Sequence, residues 1–95
     1  MPTVGVLTLE LQLSEAHSLK DKRHWVKGLK DRLRSRFNVS VAEIGYQDSW
    51  QQGLVAVAVV ATDQAFAEQI LQNVERDAAS LLGPLLVGAT IEWLA

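Results

Sequence analysis

The run GLVAVAVVAT (53–62) contains no charge and a single polar side chain. Val55, Val57 and Val59 alternate with Leu54, Ala56, Ala58 and Val60, so apolar groups line both sides. A spacing of two is that of a strand, and apolar character on both faces marks a strand inside a sheet rather than at its edge. The rest of the chain must therefore supply strands on either side of it and a layer to cover it.

Upstream, residues 3–13 alternate: Leu7, Leu9, Leu11 and Leu13 against Val6, Thr8, Glu10 and Gln12. That is a strand with one buried face. SEAHS (14–18) reads as a loop, and Ser18 with Asp21 three residues on reads as a capping box opening a helix to about Phe37. Leu19, Val26, Leu29, Leu33 and Phe37 form its apolar stripe. Gly28 inside this helix costs about 1 kcal/mol relative to Ala, and tight packing is one explanation. NVSVAEIG (38–45) is a second strand whose alternation slips near Ala42–Ile44, the mark of a bulge. GYQDSWQQG (45–53) is a glycine-bounded hairpin connection.

Downstream, Asp63 or Thr62 caps a second helix with a stripe of Phe66, Ile70, Val74, Ala78 and Leu81. LGP (82–84) ends it. Residues 85–94 form a last strand, with Val87, Ala89, Ile91 and Trp93 on one face. The order is β-α-β-β-α-β. Right-handed crossovers place both helices on one side, which predicts an α+β, ferredoxin-like sandwich: one domain over residues 1–95, with four antiparallel strands under two helices.

Composition excludes several chemistries. There is no cysteine, hence no disulfide, thiolate zinc site or thiol nucleophile, in keeping with a reducing cytoplasm. The N-terminus lacks a basic lead-in and reads as a strand rather than a signal peptide. No apolar run approaches the ~20 residues of a membrane helix. Cytoplasmic localisation and no membrane partner are the expectation.

The charge is segregated. SLKDKRHWVKGLKDRLRSRF (18–37) holds eight of the nine Lys and Arg against two acids, net +6. The remainder has Arg76 against nine acids, net −8. On a helical wheel Lys20, Arg23, Lys27, Lys30 and Arg34 fall within about 80°, beside the apolar stripe. Arg32 and Arg36 flank the core on its other side, near Trp25. Lys20, Lys22 and Arg23 occupy the first turn, where the helix dipole disfavours cations. With Ser18, Lys22 is a candidate for holding an anion at the helix start. A solvated helix face, with Asp31 pairing to Lys27 and Arg34, is the alternative.

Other candidates are thinner. The open sheet face shows Thr8, Glu10, Thr90 and Glu92 with no aromatic at a central stacking position, which argues against base stacking of the RRM kind. Its apolar third strand could support self-association. Trp50 is an aromatic in a polar connection, either a contact residue or a pin for the hairpin, and Asp48 suits a turn. Trp25 and Trp93 read as packing. His17 and His24 stand seven apart with no third ligand, so no metal or other cofactor is expected. SEAHSLK (14–20) lacks the glycine-rich phosphate loop of acylphosphatases, and no nucleophile motif is present, so no enzymatic activity is expected.

SLKDKR (18–23), DRLRSRFNVSVAE (31–43) and QDSWQ (47–51) together resemble the YlxP-like family of small uncharacterised bacterial proteins. The resemblance begins at VGVLTLEL, spans nearly the whole chain and is weakest from about residue 64. It implies a ferredoxin-like fold. The family's genes often neighbour those for translation initiation factor two and ribosome-binding factor A, which implies a role near the ribosome or in its assembly. No catalytic residues carry over. The shared positions are Ser18, Leu19, Lys20, Lys22, Arg23, Arg32, Arg34, Phe37, Asp48 and Trp50.

The expectation is a non-enzymatic protein whose basic first helix engages ribosomal RNA or a ribosome-assembly or translation complex. Lys20, Arg23, Lys27, Lys30, Arg34 and Arg32 would contact the partner, with Asp48 and Trp50 adding a shape-specific contact. The alternative is a module, dimeric in one version, that binds an acidic protein surface. A small-anion sensor or phosphatase at the helix start is the remaining reading.

Overall fold

The computed structural model describes residues 1–95. Its elements are β1 (Thr3–Gln12), α1 (Leu19–Arg36), β2 (Ser40–Gly45), β3 (Gln52–Ala61), α2 (Gln64–Leu82), a single 3₁₀ turn (Gly83–Leu85) and β4 (Leu86–Trp93). The strands form one antiparallel sheet in the order β2-β3-β1-β4. This is the ferredoxin-like β-α-β-β-α-β sandwich. The strand rich in valine and alanine is interior, as its two apolar faces require.

The core lies between sheet and helices. Leu7, Leu9, Leu11 and Leu13 from the first strand and its exit meet Val55, Val57 and Val59 from β3, all at most 2% exposed. The helices cover them with Val26, Leu29 and Leu33 from α1 and Ala67, Leu71, Val74, Ala78 and Leu82 from α2. Each buried Leu or Val contributes about 1.5–3 kcal/mol, so this layer is the main source of stability. Gly5 sits where Trp93 closes over β1: a Cβ there would come within 2.6 Å of the indole ring.

Local signals set the element ends. Ser18 Oγ accepts from the Asp21 N–H at 3.1 Å, and the Asp21 carboxylate accepts from the His17 N–H at 2.9 Å. Asp63 Oδ1 accepts from the Phe66 N–H at 2.8 Å and caps α2. Gly83, at φ 56°, ends α2, and Pro84 follows it into the 3₁₀ turn.

Two elements, α2 and β4, depart from the pattern read from sequence. The α2 stripe is rotated: Ala67, Leu71 and Leu82 turn inward, Ile70 and Leu81 lie at the margin, and Phe66 is 54% exposed. The β1–β4 register shifts between Glu10 and Leu11, so Leu11 pairs with Leu86 and Val87 is turned outward. Ala89 is exposed as well, leaving Leu86, Ile91 and Trp93 packed against the core. The slip anticipated in β2 is present between Glu43 and Gly45, where Ile44 is the extra residue. A bulge adds one residue and resets the inside-outside alternation beyond it.

Candidate functional site

α1 carries the basic residues, and the structure sorts them into two groups. Lys20, Arg23, Lys27, Lys30 and Arg34 form the ridge expected from their spacing. Lys20 and Arg23 are exposed and Lys30 is half-buried, and none of the three has an intramolecular hydrogen bond or ion pair. Lys27 Nζ contacts Asp31 Oδ2 at 2.6 Å, one turn along. That hydrogen bond, opposed by partial desolvation and helped by the charges of Lys27, Arg34 and Lys30, holds Asp31 below the usual carboxylate range. Arg34 donates from Nη2 to the Val41 carbonyl at 2.9 Å, anchoring the end of the ridge on β2.

The second group works inside the protein. Arg32 forms a fork with Asp77 of α2, Nε to Oδ2 at 3.0 Å and Nη2 to Oδ1 at 3.2 Å. Arg36 adds a third bond to Asp77 Oδ1 at 2.9 Å. The Arg32 hydrogen bonds, with the Arg32 and Arg36 charges, hold Asp77 below the usual carboxylate range despite its burial. Arg32, expected among the partner-binding cations, is instead the clasp between the two helices.

Lys22 is the larger correction. Expected with Ser18 as an anion site, it is 1% exposed and points into the protein. Its ammonium donates to the Tyr46 carbonyl and lies 2.8 Å from Glu43 Oε2, an ion pair outside hydrogen-bond alignment. Ser18 Oγ is occupied as the N-cap. Of the three first-turn cations only Lys22 is thus compensated within the chain, because 100° per residue places it on the face of Val26, Leu29 and Leu33. Its position in that stripe was the signal available in the sequence.

The Lys22 contact also ties down the β2–β3 hairpin. Tyr46 takes a positive φ of 57°, and its carbonyl accepts from both Lys22 and the Ser49 N–H. Ser49 Oγ accepts from the N–H groups of Gln51 and Gln52 and closes the turn. Trp50 is 52% exposed and Asp48 is exposed without a hydrogen bond. The hairpin presents both to solvent at the end of the sheet to which Lys22 tethers it.

Two further surfaces complete the inventory. The sheet face away from the helices exposes Val60 at 70%, with Ala56 and Ala58 half-buried beside it. A groove of about 300 Å³ on the other side of α1 from the ridge is lined by His24, Trp25, Gly28, Arg32 and Leu81. Sequence reasoning assigned Trp25 to packing; the structure leaves it 37% exposed at this groove. A Cβ on Gly28 would meet nothing within 4 Å, so tight helix packing is not the reason for the glycine. No cluster of three His, Asp or Glu side chains is placed to hold a metal ion. No helix is long and apolar enough to cross a membrane.

Among solved structures, the de novo designed protein Foldit4 superposes with a TM-score of 0.61 at 14% identity, covering 100% of this chain and 98% of the design. A dimeric ferredoxin-like protein of unknown function from Thermobifida fusca gives 0.51 at 12% identity, covering 97% and 91%. These likenesses show the fold. The uncharacterized protein YlxP of Bacillus subtilis (strain 168) is 39% identical over 71 residues, 75% of this chain and 77% of that protein. The model of the family described as "Protein of unknown function (DUF503)" matches residues 4–83. With that match running from β1 through the basic helix to the end of α2, the chain belongs to the DUF503 family.

Proposed function

We propose that the chain is a non-enzymatic binding protein whose α1 ridge engages ribosomal RNA, in a ribosome-assembly or translation complex. The observation that carries this reading is the division of the cations. Lys22, Arg32 and Arg36 are consumed by Glu43, the Tyr46 carbonyl and Asp77, whereas Lys20, Arg23 and Lys30 stand along one side of α1 without partners. Unpaired cations aligned on a rigid helix suit a polyanion, whose phosphates they hold without reading sequence. Lys27 and Arg34 extend the line, and Trp50 and Asp48 stand exposed on the hairpin as a separate contact.

The test is co-sedimentation with ribosomal subunits over a salt series. Three phosphate contacts give a log–log slope of about −2 to −3. The variant K20E/R23E/K30E should fold and lose the interaction. Binding by that variant at the wild-type level would refute the ridge.

A second reading is favoured by the open sheet face: a dimer through Val60 and its neighbours, binding an acidic protein surface. Nuclease treatment separates the two, since it abolishes co-purification of the partner only where RNA is the link.

A further inference from the structure

The groove between α1 and α2 lies across the solvent-exposed face of α1 from the ridge, with His24 at its near edge one turn from Lys20. His24, Gly28 and Arg32 step by four along α1, and His24 and Gly28 each follow a ridge residue, Arg23 and Lys27, by about 100° of helix. A chain lying on the ridge therefore has this groove within reach around the same helix.

The lining is made of flat groups. Trp25 contributes an indole that is 37% exposed, and His24 an exposed imidazole. Arg32 contributes a guanidinium whose orientation is set by its two bonds to Asp77. Asp77 divides its single charge between that guanidinium and Arg36, and two of the Arg32 donors are taken by it, so what Arg32 offers the groove is chiefly an oriented plane. Leu81 closes the α2 side, and Gly28 leaves the α1 backbone bare. Glycine weakens a helix interior, and no residue of this chain occupies the space its missing side chain leaves.

We infer that this groove receives an unstacked base of a single-stranded RNA whose phosphates lie along Lys20, Arg23 and Lys30. Planar walls suit a nucleobase, since stacking on aromatic and guanidinium faces is how proteins hold splayed-out bases. An acidic peptide side chain would find the groove's one arginine already forked onto Asp77. The contact tolerates any base, because every base has a π-face. The inference rests on the RNA reading of the ridge and adds to it a place for the base.

The experiment compares a short fluorescently labelled single-stranded RNA with an abasic strand of equal length and charge, by anisotropy at low salt. The expected result is about tenfold tighter binding of the RNA by the wild-type protein. Trp25→Ala and Gly28→Leu should each erase that preference while leaving abasic-strand affinity and salt slope unchanged. Gly28→Leu fills the groove while replacing glycine with a strong helix former, so a folding defect in Trp25→Ala would not obscure the answer. Equal wild-type affinity for the two strands would overturn the groove and leave the ridge standing. A preference that neither variant changes would also overturn it. Failure of the folded protein to bind either strand would overturn the ridge and the groove together. Wild-type binding of a polyglutamate peptide that is lost in both variants, with RNA binding intact, would give the groove to protein and overturn the inference.

Discussion

Lys22 Nζ of α1 lies 2.8 Å from Glu43 Oε2 of β2, with the lysine side chain 1% exposed and the glutamate 21%. A charge taken out of water is costly unless it is paired and hydrogen-bonded, and here the Tyr46 carbonyl supplies the hydrogen bond. The pair joins the first turns of the basic helix to the hairpin carrying Asp48 and Trp50. Removing one partner leaves the other uncompensated.

Lys22→Ala should therefore destabilise the protein by about 3 kcal/mol, because it creates a cavity and strands Glu43 and the Tyr46 carbonyl. Lys22→Met, which keeps most of the volume, should lose less, and K22M/E43Q should recover part of that loss. Urea unfolding of the three variants is the measurement. A loss below about 1 kcal/mol for Lys22→Ala would show that the pair is not a structural tie.

Asp77 makes acid stability a direct readout of the helix clasp. Its carboxyl is held below the usual carboxylate range by Arg32 and Arg36. A depressed carboxylate contributes stability above its unfolded pKa, and that contribution is lost as pH falls through the folded value. Asp77→Asn should cost about 2 kcal/mol at neutral pH. The gap between wild type and variant should close on acidification below about pH 4. Chemical unfolding at a series of pH values checks this; a gap independent of pH would mean the carboxylate charge is not what holds the helices.

Gly28→Ala should raise stability by about 1 kcal/mol, since the added methyl meets nothing and the helix gains propensity. For a domain of this size that corresponds to a rise in Tm of about 4–8 °C. Thermal melts decide it. A fall in Tm would mean that the backbone at Gly28 is constrained by something other than helix geometry.

The sandwich was legible because its signals are local. Period-two alternation marks β1 and β3, period-3.6 stripes mark the helices, and Ser18, Asp63 and Gly83 act within a turn of their own positions. The rotation of α2 was not legible. Phe66–Ile70 and Ala67–Leu71 offer overlapping apolar stripes, and the small Ala67 and the leucine that reaches Gly5 are the ones that fit under the sheet. Val87 was misplaced for a similar reason, since a register shift against β1 belongs to the pair of strands and not to either one.

The ridge divides in the same way. The chain by itself determined that its positive charge would gather on one helix and that five cations would share a side, because helical spacing alone sets that. Which cations remain free was decided only by tertiary structure. Lys22 meets Glu43 across 21 positions of sequence, and Arg32 and Arg36 meet Asp77 across 45 and 41. Such pairings depend on how α1 docks against β2 and α2. That docking follows from burying the shared core, which one helix's periodicity does not encode.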